Sequence, residues 1–119
     1  MYYCRVLFLS VVCAGSLLTQ VRAADVAVSV RDSFFSPSLI TINVNDRVVW
    51  TWAGSASHDT TGPGDPPLWS SPIQSSGTFA HVFTTTGTFN YRCTLHYIPP
   101  LGIYMTGSVT VQAPNTPPS

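Results

Sequence analysis

Residues 87–111 read GTFNYRCTLHYIPPLGIYMTGSVTV and hold the clearest strand pattern of the chain. Phe89, Tyr91 and Cys93 alternate with polar residues, which places all three on one face of a predicted strand. A second alternating run, SVTV at 108–111, predicts another strand. Neither run has a helical period, so this region predicts two β-strands and the connection between them.

The rest of the mature chain repeats this period of two in short runs separated by turn-forming Gly, Pro, Asn and Asp residues. The runs are 26–30, 40–44, 48–52 and 79–83. Short strands punctuated in this way are typical of a sandwich, so we predict an all-β fold, a Greek-key β-sandwich. The segment 62–77 carries four prolines and cannot continue a central strand, so we predict a surface loop whose Trp69 folds back onto the core.

The first 23 residues predict a secretory signal peptide. A lone Arg5 precedes an apolar run at 6–18, and a cleavage point follows Ala23. The run is shorter than the roughly 20 residues that a transmembrane helix needs. We therefore expect a periplasmic or secreted protein without a membrane span after cleavage.

Length and charge limit what the remaining chain binds. Residues 24–112 are long enough for one domain, and the Pro-rich segment 113–119 predicts a flexible tail. The whole chain has five basic and five acidic side chains, without any lysine or glutamate. It lacks the basic character of nucleic-acid-binding proteins, so we expect no nucleic-acid partner, and we expect a monomer.

Cysteine usage draws attention to one thiol. Two of the three cysteines, Cys4 and Cys13, leave with the predicted signal peptide, and Cys93 alone remains. An exported domain with one cysteine cannot close an internal disulfide, although its compartment favours disulfides. A lone thiol in an oxidising space has to be buried or bound, so Cys93 requires an explanation.

The mature chain has few side chains that bind metals strongly, and these are His58, His81, Cys93 and His96. Met105 adds a weak thioether ligand. Two imidazoles, one thiolate and a weak axial thioether form the trigonal site of electron-transfer copper. Calcium and magnesium prefer oxygen donors instead. We expect Cys93 to point inward at the end of its strand, with His96 in the following loop and His58 at the end of another strand. The copper would then lie at one pole of the sandwich.

Several motifs together carry a family resemblance: SHD at 57–59, FAHVF at 79–83, YRCTLH at 91–96 and MTGSVTV at 105–111. The chain resembles the cupredoxins, in particular small bacterial blue copper proteins of the plastocyanin and pseudoazurin type, over nearly all of residues 25–112. The resemblance implies one-electron transfer by a single copper ion. It implies that the ligands are His58, Cys93, His96 and Met105.

The resemblance also implies roles for two further residues. His81 matches a strand position that does not bind metal in the family, so we expect it to be structural. Asp59 follows the first histidine ligand, where family members often have asparagine. Its backbone N–H is expected to donate to the Cys93 sulfur and tune the reduction potential. Its carboxylate is expected to bond Thr94 and tie the two ligand segments together.

The chain departs from the family pattern between the second histidine and the methionine. Eight residues, Tyr97 to Tyr104, stand where the family has only a few. One hypothesis is that these largely apolar residues enlarge a docking patch around His96 for a redox protein such as a cytochrome, an oxidase or a reductase. The alternative is that they fold over the site as a lid.

Two other classes of function use similar residues. A copper-delivery protein would use the same ligands without redox turnover, and the sequence separates it poorly from an electron carrier. Multicopper oxidases need several His-x-His pairs, and the dinuclear copper site of terminal oxidases needs two cysteines; the mature chain offers neither. A Cys93 nucleophile would need to be exposed. We therefore predict an electron carrier and not an enzyme.

Overall fold

The computed structural model describes residues 23–114, which form two mixed β-sheets. The strands are β1 Asp25–Val30, β2 Phe35–Ser36, β3 Leu39–Asn43, β4 Arg47–Trp52, β5 Thr78–Val82, β6 Gly87–Ile98 and β7 Ile103–Gln112. The four-stranded sheet has the order β2-β1-β4-β5, and the three-stranded sheet has the order β3-β7-β6. The pairs β1/β4 and β3/β7 are parallel, and the other neighbours are antiparallel. The predicted all-β sandwich is confirmed.

The core lies between the sheets because apolar residues alternate along the strands. In β4 the side chains of Val48, Trp50 and Trp52 are buried, and their neighbours are more accessible. In β6 the buried pair is Tyr91 and Cys93. The rings of Trp50 and Tyr91 meet edge to face with centroids 5.4 Å apart. Alternation therefore carries Cys93 into the interior, as predicted.

The segment 62–77 contains no strand, and its tryptophan closes one side of the core. Trp69 is 4% exposed, stacks on Trp50 at 5.6 Å between ring centroids and meets Phe83 edge to face at 5.1 Å. Its indole N–H donates to the Thr60 hydroxyl at 3.1 Å. The predicted fold-back of Trp69 is confirmed.

Strand β6 is longer than the sequence indicates. It continues past Cys93 to Ile98, so Cys93 does not end its strand. His96 accordingly lies within β6, and the prediction that it belongs to a following loop is wrong. The alternation of buried and exposed residues stops after Cys93, which is why the sequence pattern indicates an end there.

A bulge interrupts the pairing of β6 with β7 at this point. Arg92 pairs with Thr106, and the next pair is Tyr97 with Tyr104. The four β6 residues between Arg92 and Tyr97 therefore face Met105 alone. Bulges of this kind bend a strand and re-aim its side chains, and they are frequent beside functional sites.

The segment Tyr97–Tyr104 is the tip of the β6–β7 hairpin. Ile98 pairs with Ile103, and the 3-10 turn Pro99–Leu101 reverses the chain. Gly102 completes the turn with φ 69°, a left-handed conformation that glycine adopts without a steric penalty. The expected loop is thus an ordered extension of two strands.

The predicted signal peptide, 1–23, and the tail, 113–119, lie almost wholly outside the described residues and stay predictions, as does the domain boundary drawn from them. Within the described part of the chain, no helix is long and apolar enough to cross a membrane.

Candidate metal centre

Three of the four predicted ligands come together in the structure. The Nδ1 atoms of His58 and His96 are 3.1 Å apart, and the Cys93 sulfur lies 3.7 Å from the first and 3.5 Å from the second. His58 and Cys93 are fully buried, whereas His96 is half-buried. The three donors thus form one triangle, of which His96 is the only partly exposed member.

The triangle has the size of a metal site. Bonds of about 2.0–2.3 Å to imidazole nitrogen and thiolate sulfur, at angles near 100–120°, separate two ligands of one ion by about 3–4 Å. The three observed distances fall in this range. The donor set, two imidazoles and one thiolate, suits a soft or borderline metal such as copper or zinc.

His58 does not lie at the end of a strand, because β4 ends six residues earlier at Trp52. Its backbone is held instead by hydrogen bonds in both directions with Gln74, each 3.0 Å long. The Trp52 indole N–H also donates to the His58 carbonyl at 3.1 Å. The buried imidazole is therefore fixed by contacts to two segments.

The Cys93 sulfur lies among backbone N–H groups. Burial raises the pKa of the Cys93 thiol, and hydrogen bonds from the N–H groups of Asp59, Leu95 and His96 counter this rise in part. The bulge supplies two of these donors, because it turns Leu95 and His96 back toward the sulfur. Such donors favour a thiolate, the form of cysteine that binds metals.

Asp59 links the two segments that carry the ligands, as predicted. Its backbone N–H bonds the Cys93 sulfur. Its carboxylate accepts the Thr94 N–H at 2.6 Å and the Thr94 hydroxyl at 2.6 Å. The Thr61 hydroxyl adds a third hydrogen bond at 3.2 Å. The 4% exposed carboxylate is thus fully engaged.

The other two sequence candidates lie in different places. Met105 is 1% exposed and is the only β7 residue opposite the bulge that carries Cys93 and His96. His81 lies in β5, stacks on Trp69 at 5.1 Å and takes no part in the triangle. Burial lowers the pKa of its imidazole.

Asp32, which the sequence does not single out, also contacts His58. Its carboxylate lies 3.2 Å from Nε2 of His58, on the side of the ring away from the triangle. Hydrogen bonds from the N–H groups of Ala56 and Ser55, and then from His58, hold the pKa of Asp32 far below its ordinary value. No sequence signal joins residues 32 and 58, because neither belongs to a shared motif or to paired strands.

Comparison with solved structures places this sandwich among known proteins. It is similar to a purple cupredoxin from Nitrosopumilus maritimus, with 26% identity and a TM-score of 0.61 over 73% of this chain and 99% of that one. It is similar to a mutant plastocyanin of fern, with 25% identity and a TM-score of 0.60 over 72% of this chain and 99% of that one. An amicyanin variant in a reduced Cu(I) form, 23% identical, has a TM-score of 0.62 over 78% of this chain and 87% of that one.

A scan against protein-family models finds no match, and a search of curated proteins finds none either. The assignment therefore rests on the architecture and on the residues within it. Almost the whole length of the purple cupredoxin and of the fern plastocyanin is matched by this sandwich, which brings His58, Cys93 and His96 together as a group for one ion. The chain has the cupredoxin fold and carries a His-Cys-His group typical of a blue copper site.

Proposed function

We propose that this protein is a cupredoxin, an exported carrier of single electrons that binds one copper ion through His58, Cys93 and His96. The observation that carries the proposal is the preassembled triangle of two imidazole nitrogens and one sulfur, with sides of 3.1–3.7 Å. A bound copper ion would supply the change between Cu(I) and Cu(II). The similar fern plastocyanin is described in oxidized and reduced structures, and an amicyanin variant in a Cu(I) form, which supports this assignment.

The rigidity of the site favours electron transfer over catalysis. His58 and Cys93 are fully buried and hydrogen-bonded from several segments, so their positions change little when the charge at the site changes. A nucleophile has to be accessible to its substrate, and the buried Cys93 is not. His96 is the ligand nearest to solvent and offers the shortest path for an electron to the surface.

Met105 is proposed as the weak axial ligand. It is buried, and the bulge in β6 leaves it opposite the segment that holds two of the other ligands. A thioether in this position tunes the reduction potential of a trigonal copper site.

The hairpin tip is proposed as the docking surface for a redox protein. Leu101 is 70% exposed and Tyr104 is 58% exposed, and Ile98 and Ile103 are exposed beside them. These apolar side chains face solvent close in sequence to His96, which supports docking over the alternative of a closed lid. The docking partner is proposed to be a cytochrome, an oxidase or a reductase.

The test is to add Cu(II) to the purified mature protein and record its visible spectrum. We expect an intense blue thiolate-to-copper band that Cys93→Ser abolishes. A colourless, weakly bound copper would contradict the proposal. Repeated oxidation and reduction in the presence of a Cu(I) chelator then distinguishes the two functions: a carrier keeps its copper over many cycles, whereas a delivery protein loses it to the chelator.

A further inference from the structure

The Asp32 carboxylate is the centre of a hydrogen-bond cluster that ends on His58. It accepts the N–H of Ser55 at 3.0 and 3.2 Å, the Ser55 hydroxyl at 3.2 Å and the N–H of Ala56 at 2.9 Å. His58 Nε2 lies 3.2 Å from the same carboxylate. One side chain between β1 and β2 thereby organises the segment between β4 and His58.

That segment has little else to hold it. Residues 53–57, AGSAS, are small and exposed, so they contribute no apolar anchor to the core. Gly54 packs directly against the Asp32 carboxyl group, where a Cβ atom would collide with it. The path of the chain into His58 is therefore shaped around Asp32.

The chemistry of the pair selects one form of the imidazole. A neutral imidazole carries one N–H, at Nδ1 or at Nε2, and a carboxylate only accepts hydrogen bonds. Asp32 therefore favours the tautomer with the N–H on Nε2. The lone pair is then on Nδ1, the atom that faces the Cys93 sulfur and the His96 ring.

We propose that Asp32 is a positioning residue of the metal centre, which holds the Nε2–H of His58 and so reserves Nδ1 for the metal. Carboxylate partners of this kind orient ligating histidines and make them better donors, and their loss costs about 10–100-fold in metal affinity. The effect on metal binding rests on the proposed function, whereas the hydrogen bond exists without any metal.

The first measurement is made on the metal-free protein. Long-range ¹H–¹⁵N NMR of the imidazoles reports which nitrogen of His58 carries the proton. We expect the Nε2–H form in the wild type and a mixture of tautomers in Asp32→Asn, because an amide can donate as well as accept. A wild-type His58 with its proton on Nδ1 overturns the proposal, whatever the variants do.

The second measurement is the affinity for Cu(II) and Zn(II), each competed against a chelator of known strength. We expect Asp32→Asn and Asp32→Ala to bind both metals about 10–100-fold more weakly. The matched control is Asp25→Asn, which removes an exposed strand aspartate paired with Arg47 and should leave both affinities unchanged. Dispersed amide NMR spectra verify that each variant is folded.

The outcomes separate this proposal from the proposed function. If Asp32→Asn keeps wild-type affinity, or loses no more than Asp25→Asn, the positioning role is wrong. If the wild type shows the Nε2–H tautomer but binds neither metal, the proposed function fails while the hydrogen-bond selection of the tautomer stands. A blue copper spectrum in the wild type with an affinity loss confined to the Asp32 variants supports both.

Discussion

Asp59 and Thr94 are joined by two hydrogen bonds, each 2.6 Å long, from the backbone N–H and the hydroxyl of Thr94 to the two carboxylate oxygens. Asp59 directly follows His58, and Thr94 directly follows Cys93. The pair therefore joins two proposed ligands that are 35 positions apart in the sequence. The carboxylate is almost completely buried, and it also accepts a hydrogen bond from the buried Thr61 hydroxyl.

We expect Asp59→Ala to lower the free energy of unfolding by about 1–3 kcal/mol, because it leaves the buried Thr61 hydroxyl and both Thr94 donors without their acceptor. Asp59→Asn is the matched variant: its amide oxygen still accepts the Thr94 N–H, so it should lose less. Urea unfolding of the metal-free proteins measures both. An Asp59→Ala protein as stable as the wild type would show that the hydrogen bonds do not stabilise the fold.

The sequence predicts the sandwich and the inward position of Cys93 for a physical reason, whereas the full ligand set was implied by the family resemblance. Alternation determines which face of a strand is buried, so the pattern of Phe89, Tyr91 and Cys93 is enough to place the sulfur inside. The bulge after Cys93 was not predicted, because it is set by how β6 pairs with β7. One residue of β7, Met105, lies opposite four residues of β6, and the sequence of neither strand reveals this mismatch by itself.

Asp32 was missed for a different reason. Its partners, the loop before His58 and the His58 ring, are polar and more than 20 positions away in the sequence. Hydrophobic periodicity carries no information on such contacts, and an aspartate after a strand is ordinary in a turn. Only the folded arrangement of the two loops reveals the pair.

Met105→Leu tests the proposed axial ligand. The two side chains have similar volumes, so we expect a stability change below about 1.5 kcal/mol. The blue colour should persist because the thiolate and both imidazoles remain, while the reduction potential should rise with the loss of the thioether. Cyclic voltammetry measures the potential. An unchanged potential would mean that Met105 is buried filler and not a ligand.

His81 should make the metal-free protein less stable in mild acid. Burial lowers its pKa from the ordinary value of 6.5, so between the two pKa values the unfolded chain binds a proton that the folded chain does not. The stability contributed by neutral His81 is therefore fully present above the ordinary pKa. It is lost as the pH drops toward the pKa of His81 in the folded state.

The comparison variant is His81→Gln, which cannot titrate. Urea unfolding at about pH 8 and about pH 5 gives the change in unfolding free energy for each protein, and we expect the larger loss in the wild type. Every other titratable group is the same in both proteins, so the comparison isolates His81. The same acid loss in both proteins would assign the pH dependence to other groups.

Leu101→Ser tests the docking surface. Leu101 is exposed at the hairpin tip, so its replacement should leave the copper spectrum and the stability unchanged. An apolar contact at the centre of an interface costs about 1 kcal/mol or more when it is removed. We therefore expect the second-order rate of electron transfer to cytochrome c, used as a probe partner, to fall about fivefold to tenfold.

Two controls make this rate informative. Leu68→Ser removes an equally apolar exposed side chain from the 62–77 loop and should not slow the reaction. Electron transfer to a small inorganic complex, which needs no protein docking, should be the same in all three proteins. An apolar contact that contributes to docking cannot be removed without lowering the rate. If Leu101→Ser and Leu68→Ser both react with cytochrome c at the wild-type rate, the hairpin tip is therefore not the docking surface.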